Sequence, residues 1–144
     1  MAITFTNNWK NILDKLGNIF RTEFGNSLQV CIGNEDMDSN SYIRFVPVSS
    51  NLDGYMVSSE TRTFTVLMVY VFKNPNVKKR ALDHVLRFVS RIEALVHDNI
   101  AMTLADSTRA FNCRLNSTQL DTGGDENTYV VNWTWQCQHQ SNLS

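Results

Sequence analysis

The chain has 144 residues, of which 42% are hydrophobic and 19% charged, and its formal net charge is -1. This length fits one domain over residues 1–144, and an apolar content that includes eight Phe, four Tyr and three Trp excludes a disordered chain. The near-neutral charge argues against a protein that mainly neutralises phosphates, and we expect neither a membrane span nor a signal peptide from the hydropathy pattern.

An amphipathic helix is predicted first, from Asn8 to Phe24. Its large apolar residues follow a spacing of three and four, which places them on one face of a helix: Trp9, Ile12, Leu13, Leu16, Ile19, Phe20 and Phe24. Asn7 or Asn8 is a suitable N-cap, and Gly25 is a suitable C-cap. This helix needs a partner surface to cover its apolar face.

Three strands are predicted next, at Leu28 to Gly33, Tyr42 to Val48 and Thr61 to Phe72. Pro47 removes a backbone donor, so the second strand is expected to end there or to lie at an edge. The third strand is apolar on both faces in its second half, which predicts a central position with cover on both sides. The short connections favour antiparallel pairing of consecutive strands. Residues 49–59 are expected to form a loop, although they include the apolar Leu52, Tyr55 and Met56.

A second helix is predicted from about Val77 to Asn99, opened by Asn74-Pro75, with an apolar stripe that includes Leu86. Two further strands follow, Ala110 to Leu115, with a start near Met102 left open, and Tyr129 to Gln138. Strict alternation in the last strand indicates one buried and one polar face. Residues 116–128 are expected to form a long hairpin loop.

The predicted fold is therefore α+β. An antiparallel sheet of four to five strands is flanked by the N-terminal helix and the long second helix, in the order α-β-β-β-α-β-β.

We expect no catalytic, cofactor or metal site. His84, His97 and His139 have no metal-ligand spacing, and ordinary structural or solvated histidines are the favoured interpretation. The three cysteines form no Cys-x-x-Cys pair and are interpreted as free thiols, partly buried as small hydrophobes: Cys31, Cys113 and Cys137. Sequence-specific nucleic-acid binding is disfavoured because the aromatic residues lie on apolar strand faces.

The remaining candidate is an interaction surface. The predicted loops at residues 49–59 and 116–128 are poorly explained by the core of a monomer. A basic cluster also opens the second helix, where the helix dipole disfavours cations. The candidate contact residues are Leu52, Tyr55, Met56, Lys78, Lys79, Arg80, Asp121, Asp125 and Glu126.

The element order resembles a known family. The amphipathic first helix is followed by three strands ending in Thr63-Phe64-Thr65-Val66-Leu67-Met68-Val69-Tyr70-Val71-Phe72, then by a long helix after Asn74-Pro75. A final strand carries Tyr129-Val130-Val131-Asn132-Trp133-Thr134-Trp135. This pattern resembles the tail terminator and tail-completion (neck) proteins of tailed bacteriophages over most of the chain.

The resemblance implies a structural virion protein of the tail or neck, made in the host cytoplasm. Its subunits would form a hexameric ring that caps the tail tube and meets the head connector. The implied partners are other copies of the chain, the tail tube protein and the connector protein. DNA would pass the lumen without sequence-specific binding. Another neck (stopper) protein or a tail tube subunit is an alternative within this class, and a small α+β ligand-binding or enzymatic domain is the alternative from another class.

Overall fold

The computed structural model describes residues 7–33, 41–56, 59–73, 78–125 and 128–142. Two α-helices and six β-strands follow one another in the order α-β-β-β-α-β-β-β. The strands form one sheet with the spatial order β1-β2-β3-β6-β5-β4. The strands are β1 Gln29–Ile32, β2 Ser41–Met56, β3 Ser59–Lys73, β4 Met102–Thr103, β5 Arg109–Asp125 and β6 Thr128–Asn142. The α+β class is confirmed, with one short strand more than predicted.

Helix α1 spans Asn8–Phe24, as its apolar spacing predicts. The Asn7 side chain accepts a hydrogen bond from the Lys10 amide, which satisfies one of the free donors of the first turn. Gly25 ends the helix with a φ of 54°, a left-handed conformation that favours glycine, and its amide bonds to the Arg21 carbonyl.

Strand β1 differs from its prediction because it pairs with β2 in parallel, with Gln29 opposite Tyr42 and Ile32 opposite Phe45. All other strand pairs are antiparallel, so the sheet is mixed. The predicted antiparallel pairing of β1 with β2 is therefore wrong. The Arg44 side chain and the Phe45 carbonyl both bond to the backbone of Gly33, which holds the end of β1 against β2.

Strands β2 and β3 form a longer hairpin than predicted. Residues 49–56 are strand rather than loop, and their pairing with β3 continues to Met56 opposite Ser59. β2 does not end at Pro47, but a register shift occurs between Pro47 and Ser49. Pairing with β1 stops at Phe45, so Pro47 does lie where the β1 side of the strand is unpaired in the described chain.

Helix α2 spans Lys78–Asp98, close to its predicted bounds; residues 74–77, with the predicted cap, lie outside the described residues. The Asn99 side chain bonds to the Leu95 carbonyl at 2.8 Å and closes the helix. Val85, Phe88, Ile92 and Val96 are buried, whereas Leu86 is 44% exposed and does not belong to the core stripe.

Both helices cover the same face of the sheet. Phe20 of α1 contacts Phe45, with ring centroids 5.1 Å apart, and Phe88 of α2 stacks on Tyr70 at 5.7 Å. The two helices also contact each other, since Phe24 stacks on Phe88 at 5.5 Å. The core between helices and sheet includes Trp133, Trp135, Met68 and Val66, which are all almost completely buried.

The opposite face of the sheet, which we call the open face, is covered by no helix or strand of the described chain. The described residues therefore show cover on one side of β3, where the sequence predicted cover on both. Leu67 and Val69 on the open face are half-buried, and Val71 is 7% exposed. The fold has two layers, with one sheet face available for contacts.

Candidate interaction surfaces

The two long hairpins point to opposite ends of the sheet. Ser59, next to the tip of the β2–β3 hairpin, pairs with Asn142 at the end of β6. Lys73, at the other end of β3, pairs with Thr128, next to the tip of the β5–β6 hairpin. We call residues 48–56 with 59–63 the β2–β3 arm, and residues 116–125 with 128–134 the β5–β6 arm. Both predicted loops are thus paired strands.

The β2–β3 arm carries an exposed apolar surface. Leu52, Tyr55 and Met56 are 51%, 68% and 69% exposed, and Val48 at the register shift is 58% exposed. A set of large exposed apolar side chains in one hairpin is unusual for a monomer and is typical of a contact surface. Three of the predicted contact residues are therefore exposed within one hairpin, with Tyr55 and Met56 on opposite faces of the strand.

The β5–β6 arm lies at the end of the sheet where α2 begins. Asp121 is exposed opposite Val130, and the backbone of Asp125 pairs with Thr128. The side chain of Asp125 and the whole of Glu126 lie outside the described residues. α2 starts at Lys78, shortly after Lys73, which itself pairs with Thr128.

The basic cluster lies in the first turn of α2, and its three side chains are outside the described part of the structure: Lys78, Lys79 and Arg80. Its backbone nonetheless belongs to the same end of the sheet as the tip of the β5–β6 arm. The predicted contact residues thus divide into an apolar group at one end of the sheet and a charged group at the other.

The open face carries a polar network centred on Gln136. Its amide oxygen accepts hydrogen bonds from Arg114 Nη2 at 3.1 Å and from Asn116, and its amide nitrogen donates to Thr65 Oγ1 at 3.0 Å. Gln138 donates to Asp53 Oδ2 at 3.3 Å, and Thr63 donates to the same carboxylate. The predicted polar face of the last strand is confirmed, and its side chains join β2, β3, β5 and β6.

A second polar chain surrounds His139, which is only 1% exposed. Thr108 Oγ1 donates to Asp106 Oδ1 at 2.5 Å, so its oxygen accepts from His139 Nε2 at 2.9 Å. His139 Nδ1 then accepts from Ser141 Oγ at 3.1 Å, and the oxygen of Ser141 accepts from Asn8 Nδ2 at 3.1 Å. When the imidazole is neutral, Thr108, His139 and Ser141 each donate one hydrogen bond and accept one in this chain.

The environment of His139 lowers its pKa, chiefly because burial disfavours the charged ring, although the Asp106 carboxylate opposes this effect. The pKa of Asp106 is also lowered, mainly by the hydrogen bond from the Thr108 side chain. The contact between Ser141 and His139 resembles a nucleophile and its base. However, Asn8 occupies the serine oxygen and the ring is inaccessible, so the chain ties the start of α1 to β6 and to the turn before β5.

The other histidines differ from each other. His84 lies between the rings of Phe72 and Phe88, with centroids 4.9 and 4.8 Å away. His97 is exposed and lines a cavity of about 300 Å³ between α2 and β5, together with Glu93, Asn112 and Arg114. Glu93 already accepts from Thr118 Oγ1 at 3.1 Å and from Trp133 Nε1 at 3.4 Å. Its carboxylate therefore serves mainly to fix α2 on the sheet.

No group of three or more His, Cys, Asp or Glu side chains converges on a metal position within the described residues. None of the three cysteines forms a disulfide, and all three are buried, as expected for small hydrophobic side chains. Neither helix, over its described residues, is long and apolar enough to cross a bilayer.

Comparison with known proteins shows that the fold of this chain also occurs in a solved structure. No protein-family model and no curated protein matches the chain. Twenty-four chains of solved structures are similar to it. One of them matches over 92% of this chain and 92% of its own length, with a TM-score of 0.57 and 12% sequence identity, and its name states no activity. The α+β architecture of this chain is therefore one that solved proteins share.

Proposed function

We propose that this chain is a structural subunit of a tailed bacteriophage. Copies of it form a six-membered ring that closes the tail tube and joins it to the head connector. The observation that carries the proposal is the pair of hairpin arms, which extend to opposite ends of a sheet whose open face carries no helix or strand among the described residues. Such a subunit offers separate surfaces for its two neighbours and for what lies above and below the ring.

The sheet edges support assembly of copies head to tail. Within the described residues, β2 has no partner strand on its outer side from Pro47 onward, and β5 has none after Cys113, whose amide bonds to the Ile100 carbonyl. These edges lie on opposite sides of the sheet. Unpaired strand edges are templates for pairing with another chain, and contact between two different surfaces generates a ring when the rotation closes. Addition of β2 from one copy to β5 of the next would continue the sheet around the ring.

The charge distribution fits the remaining contacts. The apolar group on the β2–β3 arm suits a permanent protein contact, since the buried centres of such interfaces are depleted in charge. The charged group near the β5–β6 arm suits a polar surface of a different partner at the other end of the sheet. The tail tube protein and the connector protein are the two partners proposed for these ends. Another neck protein or a tail tube subunit would use the same surfaces.

Substitutions in the β2–β3 arm test the proposal. We expect the wild-type chain to elute as an assembly on size-exclusion chromatography with light scattering, and Leu52→Asp and Tyr55→Asp to shift it to monomers. Leu86→Asp is the matched control, because this side chain is 44% exposed on α2 and lies on neither arm. Circular dichroism would establish that all variants are folded. Assembly that persists in both arm variants would contradict this use of the arm.

One observation favours a second function, binding of a small ligand. The cavity between α2 and β5 brings His97, Asn112 and Arg114 together with the Glu93 carboxylate. Its volume of about 300 Å³ is at the lower limit for ligand sites. His97→Ala, on α2 and away from the proposed contact edge of β5, should leave assembly unchanged. Native mass spectrometry of the purified protein would support the second function if a small molecule bound to the wild type is absent from this variant.

A further inference from the structure

We propose that Cys113 and Cys137 form an oxidisable dithiol site, which closes into a disulfide across β5 and β6 when it meets a peroxide. Cys113 borders the edge of β5 that is proposed for the ring contact, but the disulfide forms within one chain, so its test does not depend on the ring. Cysteine spacing in the sequence gives no sign of this pair, because the two residues are far apart along the chain.

An irregularity in β5 brings the two thiols together. Phe111 pairs with Gln138 and Arg114 pairs with Gln136, so the two residues between them on β5 face Cys137 alone on β6. Asn112 has a φ of 54°, and the amide of Cys113 bonds to the Ile100 carbonyl at 2.9 Å. The thiols of Cys113 and Cys137 are in hydrogen-bond contact. Two cysteines on neighbouring strands can be bridged without backbone movement when their Cα atoms lie within about 7 Å.

The surroundings give the two thiols different roles. Both are buried, with exposures of 3% for Cys113 and 0% for Cys137, but only Cys113 lines the cavity of about 300 Å³ beside α2. The hydrogen bond from the Cys137 thiol lowers the pKa of Cys113, and the positive charge of Arg114 acts in the same direction. The pKa of Cys137 is raised by that contact and by burial. Because Cys113 and not Cys137 lines the cavity that a peroxide would enter, we assign Cys113 as the attacking thiolate and Cys137 as the thiol that resolves the intermediate.

The reaction balances with one peroxide. The Cys113 thiolate attacks one peroxide oxygen, the O–O bond breaks, and a sulfenic acid forms while the other oxygen leaves as hydroxide. The sulfur of Cys137 then attacks the Cys113 sulfur, and the oxygen of the sulfenic acid leaves as water. The two thiols lose two electrons and two protons, and hydrogen peroxide is reduced to two molecules of water.

Cys31 cannot take part in this pair. It is buried on β1, and β2 and β3 separate β1 from β6 in the sheet. This residue therefore serves as an internal reference in the same molecule. Trypsin separates all three thiols, since cleavage after Arg21, Arg44, Arg109 and Arg114 puts Cys31 on residues 22–44, Cys113 on 110–114 and Cys137 on 115–144.

The first experiment uses the folded wild-type chain. After treatment with hydrogen peroxide, the protein is denatured in N-ethylmaleimide, digested with trypsin and analysed by mass spectrometry. We expect one alkylated thiol, on residues 22–44, and a linked pair of peptides 110–114 and 115–144. Three alkylated thiols, a link to Cys31, a link between copies, or a sulfinic acid without a link would overturn the proposal.

The second experiment separates the roles of the two thiols. In Cys137→Ser, dimedone added with the peroxide should label Cys113, because the sulfenic acid has no resolving thiol. In Cys113→Ser, we expect Cys137 to remain unlabelled under the same conditions. Equal labelling of both variants would overturn the assignment of Cys113 as the attacking group. The wild-type experiment decides whether the disulfide forms if either variant fails to fold.

Discussion

His139 shows how a residue near a polar chain end becomes part of the core. The alternation in β6 that buries Val131, Trp133, Trp135 and Cys137 continues to His139, so its burial follows from the period of the strand. The sequence predicted a strand that ends at Gln138, so it did not extend the alternation to His139 and left open whether this histidine is structural or solvated. Its partners Thr108 and Asn8 come from distant segments, and no local pattern in the sequence could predict them.

Burial of neutral His139 predicts a pH dependence of stability. Its pKa is lowered in the folded chain, so below the ordinary value of 6.5 the unfolded chain binds a proton that the folded chain does not. The contribution of neutral His139 to the free energy of unfolding is therefore complete above this value, and it is lost as the pH falls toward the lower folded-state pKa. Urea unfolding at pH 7.5 and pH 5 should show this loss in wild type and a smaller loss in His139→Gln.

His97→Gln is the matched control for this pH series, because His97 is exposed on α2. We expect its stability to change with pH as in the wild type. An equal loss of stability in His139→Gln and wild type would assign the pH dependence to other groups.

Gln136 is the residue on which the polar network of the open face depends. Replacement by Ala removes its hydrogen bonds with Thr65, Arg114 and Asn116, and we expect a loss of about 0.5–1.5 kcal/mol in the free energy of unfolding. Gln119→Ala, at an exposed position of β5, should change it by no more than about 0.5 kcal/mol. Equal effects of the two substitutions, measured by urea unfolding, would be inconsistent with a structural role for the network.

At the scale of elements, α2 is held by a stack of aromatic side chains. Phe88 contacts Phe24 of α1 and Tyr70 of β3, and the Arg91 guanidinium lies 5.5 Å from its ring centre. Phe88→Ala should therefore lower the free energy of unfolding by about 3–5 kcal/mol, as seen for truncated core aromatics. Leu86→Ala, two residues earlier and exposed, should lower it by about 0.5 kcal/mol or less. Chemical denaturation of both variants checks this difference.

Helices were more predictable than strands in this chain. The bounds of α1 follow from a local apolar spacing and from Asn7 and Gly25, all of which the sequence contains. Residues 49–56 and 116–125 are strands because they pair with the next strand of their own hairpin, and their composition alone resembles loops. The parallel pairing of β1 and the contact between Cys113 and Cys137 also depend on tertiary structure, which sequence periodicity does not contain.

At the scale of the whole molecule, many of the uncharged polar side chains lie on the open face of the sheet. Gln, Thr and Asn side chains bond to one another across the open face, while most of the described aromatic residues are packed between the sheet and both helices, Tyr55 and Phe111 being exposed. The two arms add an apolar surface at one end of the sheet and a charged segment at the other. We infer that the low charge suits contacts between copies, and the proposed ring follows from this arrangement together with the unpaired edges of β2 and β5.

Native mass spectrometry of the purified wild-type chain at high concentration, with electron microscopy of the same sample, tests the ring most directly. The proposal predicts a species of six times the 16.5 kDa subunit mass and closed rings in the images, in the isolated chain or once tail tube protein is added. A chain that stays monomeric in both conditions, with no ring in either sample, would contradict it.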